Sequence, residues 1–384
     1  MGYLGYPRPD GSAGVRNHVA VMSSVICANG VVSAVGRALP KVKTITHTEG
    51  CGRGLKDIEL STRTLVGLGK NPNVAAILIV GLGCEFIKAP GLADQIQASG
   101  KPVEYLVIQE NQGTVKSTQK AIEICKKFLD DANSLGRVEC GWDKLVLGLE
   151  CGGSDALSGV TANPVIGKAA DWLVAQGGTV ILSETTEMIG TEDILARRAA
   201  DLANAKKIMD LILGQEKLTK EILGPLAGLV ISPGNIEGGL STIQEKALGC
   251  IIKAGSAPIN EVLPYSAKPT KNGLVIMDAP GSDIFQLTGM AAGGAQITLF
   301  STGRGTPAGF PILPVIKISS NTELFEKMGD DLDLDAGKVL AGKSIDEVGQ
   351  ELISLLIEVA QGKLTKAEIN QQDLLAIHTV GPAF

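Results

Sequence analysis

Short apolar runs that alternate with amphipathic helix patterns are the feature that most constrains the fold of this 384-residue chain. Runs rich in β-branched residues, such as those at 18–23, 74–80 and 144–149, are each followed by a longer stretch with helical periodicity. This alternation is typical of βαβ units, in which crossover helices join parallel strands. We therefore predict an α/β fold with largely parallel sheets flanked by helices.

A polar stretch at 130–143 separates two such series and is the best candidate for a domain boundary. A chain of this length is expected to form two domains. We predict an N-terminal α/β domain over 1–135 and a C-terminal α/β catalytic domain over 136–384. Within the second series the patterns predict one helix over 191–214. A closing helix is predicted over 344–361, with a capping box at its start.

Glycine content and charge narrow the class of function. The 48 glycines are about twice the usual share and gather at the ends of the apolar runs, which favours tight turns around a small ligand. A net charge of −6 and 3% aromatic residues argue against a nucleic-acid-binding surface. The start lacks a signal-peptide pattern, and no apolar run is long enough for a membrane span. The sequence therefore predicts a soluble, cytoplasmic protein with reduced cysteines.

Three of the seven cysteines, Cys51, Cys84 and Cys151, follow an apolar run and lie in a glycine-containing turn. Their polar neighbours are His47, Glu85 and Glu150. Ligand sites in α/β sheets form at the carboxyl ends of strands, so the pattern predicts a shared soft-metal or reactive centre. Each thiol taken alone also fits a small turn-filling residue. The remaining cysteines lack polar neighbours and are interpreted as structural: Cys27, Cys125, Cys140 and Cys250.

Further polar residues that follow apolar runs are candidates for catalysis and substrate binding. Asp155, Glu184 and Glu187 could act as a general base or as metal ligands, although the two glutamates also fit a helix N-cap. Arg16 and Arg304 lie near glycines, where a guanidinium can bind a carboxylate with two hydrogen bonds. The other candidate substrate-binding residues are Asn17, His18, Ser154 and Asn235.

These groups, without a cofactor motif, suit lyase chemistry on a small hydroxy acid. The difficult step is removal of a proton next to a carboxylate, and a metal can stabilise the resulting charge and help hydroxide leave. A phosphate-loop pattern at 337–344 offers a P-loop NTPase as an alternative. That pattern follows the acidic run 330–335 rather than a buried strand, so the nucleotide interpretation is disfavoured.

The chain resembles the large, catalytic part of the altronate/galactarate dehydratase family over nearly its whole length. The matching stretches are 5–11, 14–18, 50–52, 80–85, 148–155, 158–164, 182–187, 232–235, 245–249 and 301–305. The resemblance implies an iron-dependent hydro-lyase, with Mn²⁺ as a substitute metal, that converts a sugar acid of the altronate or galactarate type to a 2-keto-3-deoxy acid.

On this basis we expect a ferrous ion surrounded by four ligands, with Glu85 or Glu150 nearby. The four are His47, Cys51, Cys84 and Cys151. An iron–sulfur cluster held by the three thiolates is the alternative.

Two features qualify the resemblance. Family members usually carry a small N-terminal domain before the motif at 5–11, which implies a separate small subunit here, and we also expect a homo-oligomer. The C-terminal half is in addition similar to a sulfolactate sulfo-lyase at 234–239, 311–318 and 333–337. That sulfo-lyase pattern lacks counterparts of Cys51 and of Cys84 with Glu85. Sugar-acid dehydration is therefore favoured, with the sulfo-lyase as the alternative.

Overall fold

The computed structural model describes residues 2–224 and 230–384, where strands and helices alternate as the sequence predicts. The strands are β1 (Gly2–Pro7), β2 (Ala13–Gly14), β3 (His18–Ser23), β4 (Val42–Ile45), β5 (Val74–Gly81), β6 (Val103–Val107), β7 (Val138–Gly141), β8 (Val146–Cys151), β9 (Thr179–Leu182), β10 (Ile259–Leu263), β11 (Gly273–Met277), β12 (Ile297–Thr302), β13 (Val315–Ser319) and β14 (Leu334–Asp335). The helices are α1 (Asn29–Ala38), α2 (Leu55–Lys70), α3 (Ala89–Gln97), α4 (Thr114–Asn133), α5 (Ala162–Ala175), α6 (Glu192–Arg197), α7 (Leu202–Leu223), α8 (Pro233–Glu237), α9 (Ile243–Cys250), α10 (Asp283–Ala292), α11 (Thr322–Lys327), α12 (Ile345–Ala360) and α13 (Lys366–Ile369).

Two parallel sheets form the framework, which confirms the α/β prediction. The first sheet has the strand order β4-β3-β5-β6, and the second has the order β10-β11-β9-β8-β12-β13-β14. The central strands are buried along their whole length, as in β5, where all eight residues are inaccessible. Such continuous apolar strands are expected when helices cover both faces of a sheet.

A small antiparallel sheet, with the order β2-β1-β7, links the start of the chain to the segment between the parallel sheets. The domain boundary predicted after residue 135 falls between α4 and β7. Because β7 pairs with β1, the two halves share this sheet, and the boundary stays a prediction.

The capping box predicted for the closing helix is present, with Ser344 and Glu347 bonded reciprocally at the start of α12. The single helix predicted over 191–214 is wrong, because α6 ends at Arg197 and α7 begins at Leu202. Ala200 donates its backbone N–H to Ile259 O at 2.9 Å, so the intervening segment pairs with the edge strand β10 instead.

The position of the site follows from the topology of the second sheet. On one side of β8 the sheet continues with β9, β11 and β10 in that spatial order. The next strand along the chain, β12, pairs with the other side of β8. The carboxyl ends of β8 and β12 therefore flank a topological switch point, where open α/β sheets bind ligands.

Within the described residues, no helix combines the length and the apolar character that crossing a bilayer requires.

Arg16 ties the start of the chain to the C-terminal helices. It is 5% exposed, and its guanidinium pairs with both oxygens of Glu368 at 2.8 Å. The same group donates to the backbone carbonyls of Val359 and Lys363. Removing a buried charge leaves its partners unpaired.

We therefore expect Arg16→Ala to lower the free energy of unfolding by about 3 kcal/mol. Denaturant unfolding followed by circular dichroism measures this change. Arg37→Ala, at an exposed position of α1, is the control and should have little effect. Equal stability of the two variants would contradict the structural role of Arg16.

Candidate active site

Glycine turns let the β8 and β12 loops close on each other at the switch point. The backbone N–H of Gly152 donates to Ser301 O at 3.1 Å, and that of Gly303 donates to Gly153 O at 3.0 Å. A Cβ atom at Gly303 would collide with the carboxyl group of Asp155. The sequence therefore needs glycine here for the two loops to pack around this side chain.

A pair of thiols lies directly behind these loops. The Sγ atoms of Cys151, at the end of β8, and Cys250, at the end of α9, are 3.3 Å apart. Both thiols donate to Glu187 Oε2 at 3.0 Å, and all three side chains are buried. In the described part of the chain, this is the one group of three cysteine, histidine or acidic side chains with ligand atoms within 4.8 Å of one another.

Two buried lysines neutralise the carboxylates beside the thiols. Lys253 forms an ion pair with Glu184 and donates to Cys151 Sγ at 3.0 Å. Lys246 forms an ion pair with Glu187. We call these six residues the buried cluster: Cys151, Glu184, Glu187, Lys246, Cys250 and Lys253. Since both acids meet an ammonium group, their charges are compensated inside the protein.

The two glutamates of the buried cluster have opposite proton affinities. Burial raises the pKa of Glu184 to about 7, with a further contribution from the negative charge of Glu187. Burial would also raise the pKa of Glu187, but Lys246, Lys253 and the two thiol donors outweigh it and lower that pKa to about 2. Near neutral pH, Glu187 is therefore an anion, whereas Glu184 can accept and release a proton.

Glu184 has a strained backbone, with φ of 72° and ψ of 57° in the left-handed region. This conformation is uncommon for a residue with a Cβ atom and is found most often at functional sites. It allows the chain to turn sharply after β9, so that both Glu184 and Glu187 reach the buried cluster.

Glu150, which precedes Cys151 in β8, is a further buried acid next to the buried cluster. Its side chain is 0% exposed, and neither carboxylate oxygen has a hydrogen-bond partner in the described residues. Its pKa is raised well above the ordinary value by burial and by the nearby charges of Glu184 and Asp283. A carboxyl group in this position must hold a proton or meet a cation.

Two cavities lie at the switch point next to the buried cluster. One of about 450 Å³ is lined by Asp155, Arg304 and Lys327, among others. The second, of about 250 Å³, is also lined by Asp155 and reaches Lys246 and Cys250. Arg304 and Lys327 can bind an anionic group, although the larger cavity is also lined by the acids Glu237 and Glu323. The smaller cavity extends from Asp155 to the Cys250 thiol.

Asp155 lines both cavities, but both of its carboxylate oxygens are hydrogen-bonded to loop residues. Its Oδ1 accepts from the N–H and the hydroxyl of Ser158 at 2.8 and 2.7 Å, and its Oδ2 accepts from Ser320 and Asn321 at 2.9 and 3.2 Å. Asn235 supports the same loop by donating to Ser154 O at 2.9 Å. The Ser154 hydroxyl itself is buried without a hydrogen-bond partner in the described residues.

The donor set of the buried cluster fits a soft or borderline divalent metal. Two thiols and one carboxylate are ligands that suit Zn²⁺ or Fe²⁺. The ligand atoms of Cys151, Cys250 and Glu187 are close enough to share one ion after the thiols lose their protons. The partnerless carboxyl group of Glu150 is a second sign that this region accommodates positive charge.

The structure does not bring the expected metal ligands of the first sheet into this cluster. Cys51 and Cys84 are exposed, in loops after β4 and β5. His47 accepts the Glu49 N–H on Nδ1 at 3.1 Å, and its Nε2 lies 2.7 Å from Ser23 O, so both ring nitrogens are occupied by the backbone. The Glu85 carboxylate accepts hydrogen bonds from the Ser24 hydroxyl and from the backbone N–H of Gly83.

The expected substrate-binding group Arg16, Asn17 and His18 lies at the amino end of β3, at the opposite edge of the first sheet from its glycine turns. Arg16 is bonded to the C-terminal segment, as described above. Asn17 accepts from Arg8 and donates to Ala132 O. Burial lowers the pKa of His18 to about 3, so its ring is neutral. Their contacts are those of structural residues, and the substrate-binding expectation stays a prediction.

The phosphate-loop pattern also has other partners. The N–H of Gly337 donates to Asp335 Oδ1 at 2.8 Å, and both Lys338 and Lys343 pair with Glu351. The glycine turn therefore faces a carboxylate rather than an open anion cradle, which agrees with the disfavoured nucleotide interpretation.

Sequence reasoning missed half of the buried cluster. The prediction that Cys250 lacks polar neighbours is wrong, because its Sγ contacts both Cys151 and Glu187. Lys246 and Lys253 were not singled out, since a lysine in or after a helix is normally solvated. The one available signal was Lys253 directly after Ile251 and Ile252, inside an apolar run.

Comparison with known proteins supports a family assignment over almost the whole chain. Residues 5–133 match the model described as "D-galactarate dehydratase/Altronate hydrolase, second domain". Residues 142–383 match "D-galactarate/Altronate dehydratase, C-terminal".

Individual relatives agree with these matches. Altronate dehydratase of Bacillus subtilis (strain 168) is 37% identical over 99% of this chain and 78% of its own length. Galactarate dehydratase (L-threo-forming) of Escherichia coli (strain K12) is 37% identical over 94% of this chain and 73% of its own length. The (2R)-sulfolactate sulfo-lyase subunit beta of Chromohalobacter salexigens is 35% identical over 95% of this chain and 94% of its own length. These matches confirm the resemblance inferred from the sequence motifs.

A comparison with solved structures adds no argument about the fold. A glycosyl transferase of family 9 from Veillonella parvula DSM 2008 aligns over 92% of this chain and 99% of its own, with a TM-score of 0.22 and 10% identity.

The pairing of Lys253 with Glu184 can be tested by a double-mutant cycle. Lys253→Met should lower the free energy of unfolding by about 3 kcal/mol, because Glu184 loses its buried partner. Lys253→Met combined with Glu184→Gln should cost clearly less than the sum of the two single changes. Denaturant unfolding of the four proteins gives the coupling.

Lys268→Met serves as the control, because Lys268 pairs with Asp10 at the surface and its loss should barely change stability. Strict additivity of Lys253→Met and Glu184→Gln would refute the pairing.

Proposed function

This chain belongs to the D-galactarate/altronate dehydratase family of hydro-lyases, and from that premise we propose that it eliminates water from a sugar acid to give a 2-keto-3-deoxy acid, with Fe²⁺ as its metal. The observation that carries the proposal is the buried cluster, two of whose residues, Lys246 and Cys250, line a cavity that borders the one containing Arg304. A lyase needs a base beside a group that can bind carboxylate, and these neighbouring features supply both.

Substrate binding is assigned to the larger cavity. Arg304 is partly exposed there, where it pairs with Glu237 at 2.8 Å, and Lys327 lies on the same cavity wall. A carboxylate of the substrate can displace the exposed Glu237 and form two hydrogen bonds with the guanidinium. Asp155 holds the β8 and β12 loops in place for this contact, since its oxygens are bonded to loop residues.

Glu184 is the base that the pKa values favour over Glu187. Its pKa of about 7 lets it take the proton from the carbon next to the substrate carboxylate. Lys253 holds the Glu184 carboxylate in place before the proton is transferred. Glu187 is the poorer base because its pKa is about 2. Asp155 is the poorer one because both of its oxygens are already bonded.

The metal is assigned to Cys151, Cys250 and Glu187, whose ligand atoms lie within 4.8 Å of one another. Bound there, Fe²⁺ would supply Lewis-acid assistance to the departing hydroxyl group. Loss of the proton and of the neighbouring hydroxyl as water leaves an enol, which becomes the keto acid by gaining a proton at carbon and losing the enol O–H proton. The cavity that reaches Lys246 and Cys250 is where the hydroxyl group would approach.

The small partner subunit, the homo-oligomeric state and the cytoplasmic location stay predictions. A small-molecule sugar acid as the partner of the site follows from the proposed reaction itself.

The function is tested by an anaerobic assay with Fe²⁺ in which keto-acid product is measured for altronate, galactarate and (2R)-sulfolactate. We expect turnover of a sugar acid, and we expect Glu184→Gln to lower kcat at least about 100-fold, as is typical for loss of a general base. Glu85→Gln, at a buried glutamate of the first sheet, is the matched control. Release of sulfite from sulfolactate alone would replace the dehydratase assignment by the sulfo-lyase one.

The metal assignment is tested by anaerobic equilibrium dialysis against ferrous iron without added sulfide. We expect Cys250→Ala to lose the ion that depends on the buried cluster, because one of its two thiolates is gone. Cys125→Ala removes another buried thiol, which lies in α4 and away from the buried cluster, and should leave binding unchanged. Equal iron binding by both variants would exclude Cys250 as a ligand.

A further inference from the structure

Three exposed thiols lie in loops at one edge of the first sheet, apart from the buried cluster. Cys27 follows β3, Cys51 follows β4 and Cys84 follows β5, and all three are solvent-exposed. These strands are neighbours in the order β4-β3-β5 and are parallel, so their carboxyl ends meet at one edge. None of the three thiols is hydrogen-bonded to another described residue, which leaves each free for a ligand.

Backbone hydrogen bonds hold the three loops against one another. Ile26 N donates to Glu49 O at 3.0 Å, which joins the Cys27 and Cys51 loops. Phe86 N donates to Gly50 O at 3.1 Å, which joins the Cys51 and Cys84 loops. Ser24 Oγ donates to Glu85 Oε1 at 2.9 Å, which joins the Cys27 and Cys84 loops. The thiols are therefore presented by one rigid surface, although they are far apart in the sequence.

Gly50 is required for this close approach. It has φ of 111°, and a Cβ atom there would collide with Ser24 O and lie 2.7 Å from the Cα of Val25. A side chain at this position would push the Cys51 loop away from the Cys27 loop.

Other potential metal ligands at this edge are already occupied. His47 and Glu85 are bonded to the backbone and to Ser24, and Glu49 is paired with Arg53 at 2.7 Å. A site here would therefore be built from three thiolates alone.

Among the described residues at this edge, the absence of a close group of three sulfurs disfavours a single ion as the ligand. Around one tetrahedral metal with bonds of about 2.3 Å, thiolate sulfurs lie roughly 3.8 Å apart. In the described residues, the group of three ligand atoms within 4.8 Å of one another is the one in the buried cluster, and the three exposed thiols form no such group. An iron–sulfur cluster spans a wider gap, because each thiolate binds a different iron.

We propose that Cys27, Cys51 and Cys84 bind a [4Fe–4S] cluster whose fourth iron has no protein ligand and faces solvent. Binding forms three iron–thiolate bonds and releases three thiol protons, and the protein undergoes no redox change. With three thiolates a [4Fe–4S]²⁺ cluster carries a net negative charge. One basic group near the site, Lys88, donates to Gly83 O at 2.8 Å, beside the Cys84 loop, whereas Arg53 near Cys51 is already paired with Glu49.

The test is anaerobic reconstitution of the full chain with ferrous iron, ferric iron and sulfide in the ratio two to two to four, followed by removal of unbound material. We expect about four acid-labile sulfides per chain, with about four irons in addition to the one assigned to the buried cluster, thiolate-to-iron absorption and, after reduction, a cluster electron paramagnetic resonance signal. Single Cys27→Ser, Cys51→Ser and Cys84→Ser variants should each lose most of the sulfide and of the signal. Since these thiols are exposed, circular dichroism should show unchanged folding.

The controls separate this site from the proposed active site. Cys125→Ala and Cys151→Ala should retain the sulfide and the cluster signal, whereas Cys151→Ala should abolish dehydration if the proposed function is right. Loss of sulfide in Cys151→Ala but not in Cys27→Ser would overturn the inference. Iron without sulfide in the wild-type chain, or a zinc-only site, would overturn it as well. The inference does not depend on the proposed function, because its measurements are metal content and spectra.

Discussion

Two lysine–glutamate ion pairs, buried at the carboxyl edge of the second sheet, are the constraint on which the site depends. Lys253 with Glu184 and Lys246 with Glu187 place four charges where an isolated charge would be prohibitively unstable. Because the charges cancel in pairs, the acids can stay near two thiols inside an apolar sheet. The same pairing makes the two glutamates differ in proton affinity. In the proposed function, these two residues of one type, three positions apart, serve as the base and as a metal ligand.

The framework that holds these charges could be predicted from the sequence because it follows from local periodicity. The buried run of β5 and the capping box of α12 are encoded within a few residues each. The break between α6 and α7 could not be predicted in this way, because it depends on pairing with β10, some sixty residues later in the chain. Long-range pairing overrides helix propensity there, and the sequence pattern carries no sign of the partner strand.

Some residues of the site can be predicted from local sequence patterns, whereas others depend on the packing of distant segments. Cys151, Glu184 and Glu187 follow strands of one parallel sheet, so their meeting at one edge was predictable. Cys250 and its lysine neighbours come from α9 and the turn after it, whose packing against the sheet no motif specifies. The thiols after β4 and β5 were expected at the same centre as Cys151, but they end strands of the other sheet. A sequence pattern identifies a strand end without telling which sheet the strand joins.

The short distance between the Cys151 and Cys250 sulfurs has a practical consequence for anyone who handles this protein in air. Two thiols 3.3 Å apart are positioned to be joined by a small oxidant that takes up two electrons and two protons. Both side chains are buried, so bulky reagents cannot reach them, whereas peroxide can. The activity of preparations that have aged in air would then be restored by small dithiols more readily than by protein reductants. Loss of activity after aerobic purification would therefore not indicate a loss of the fold.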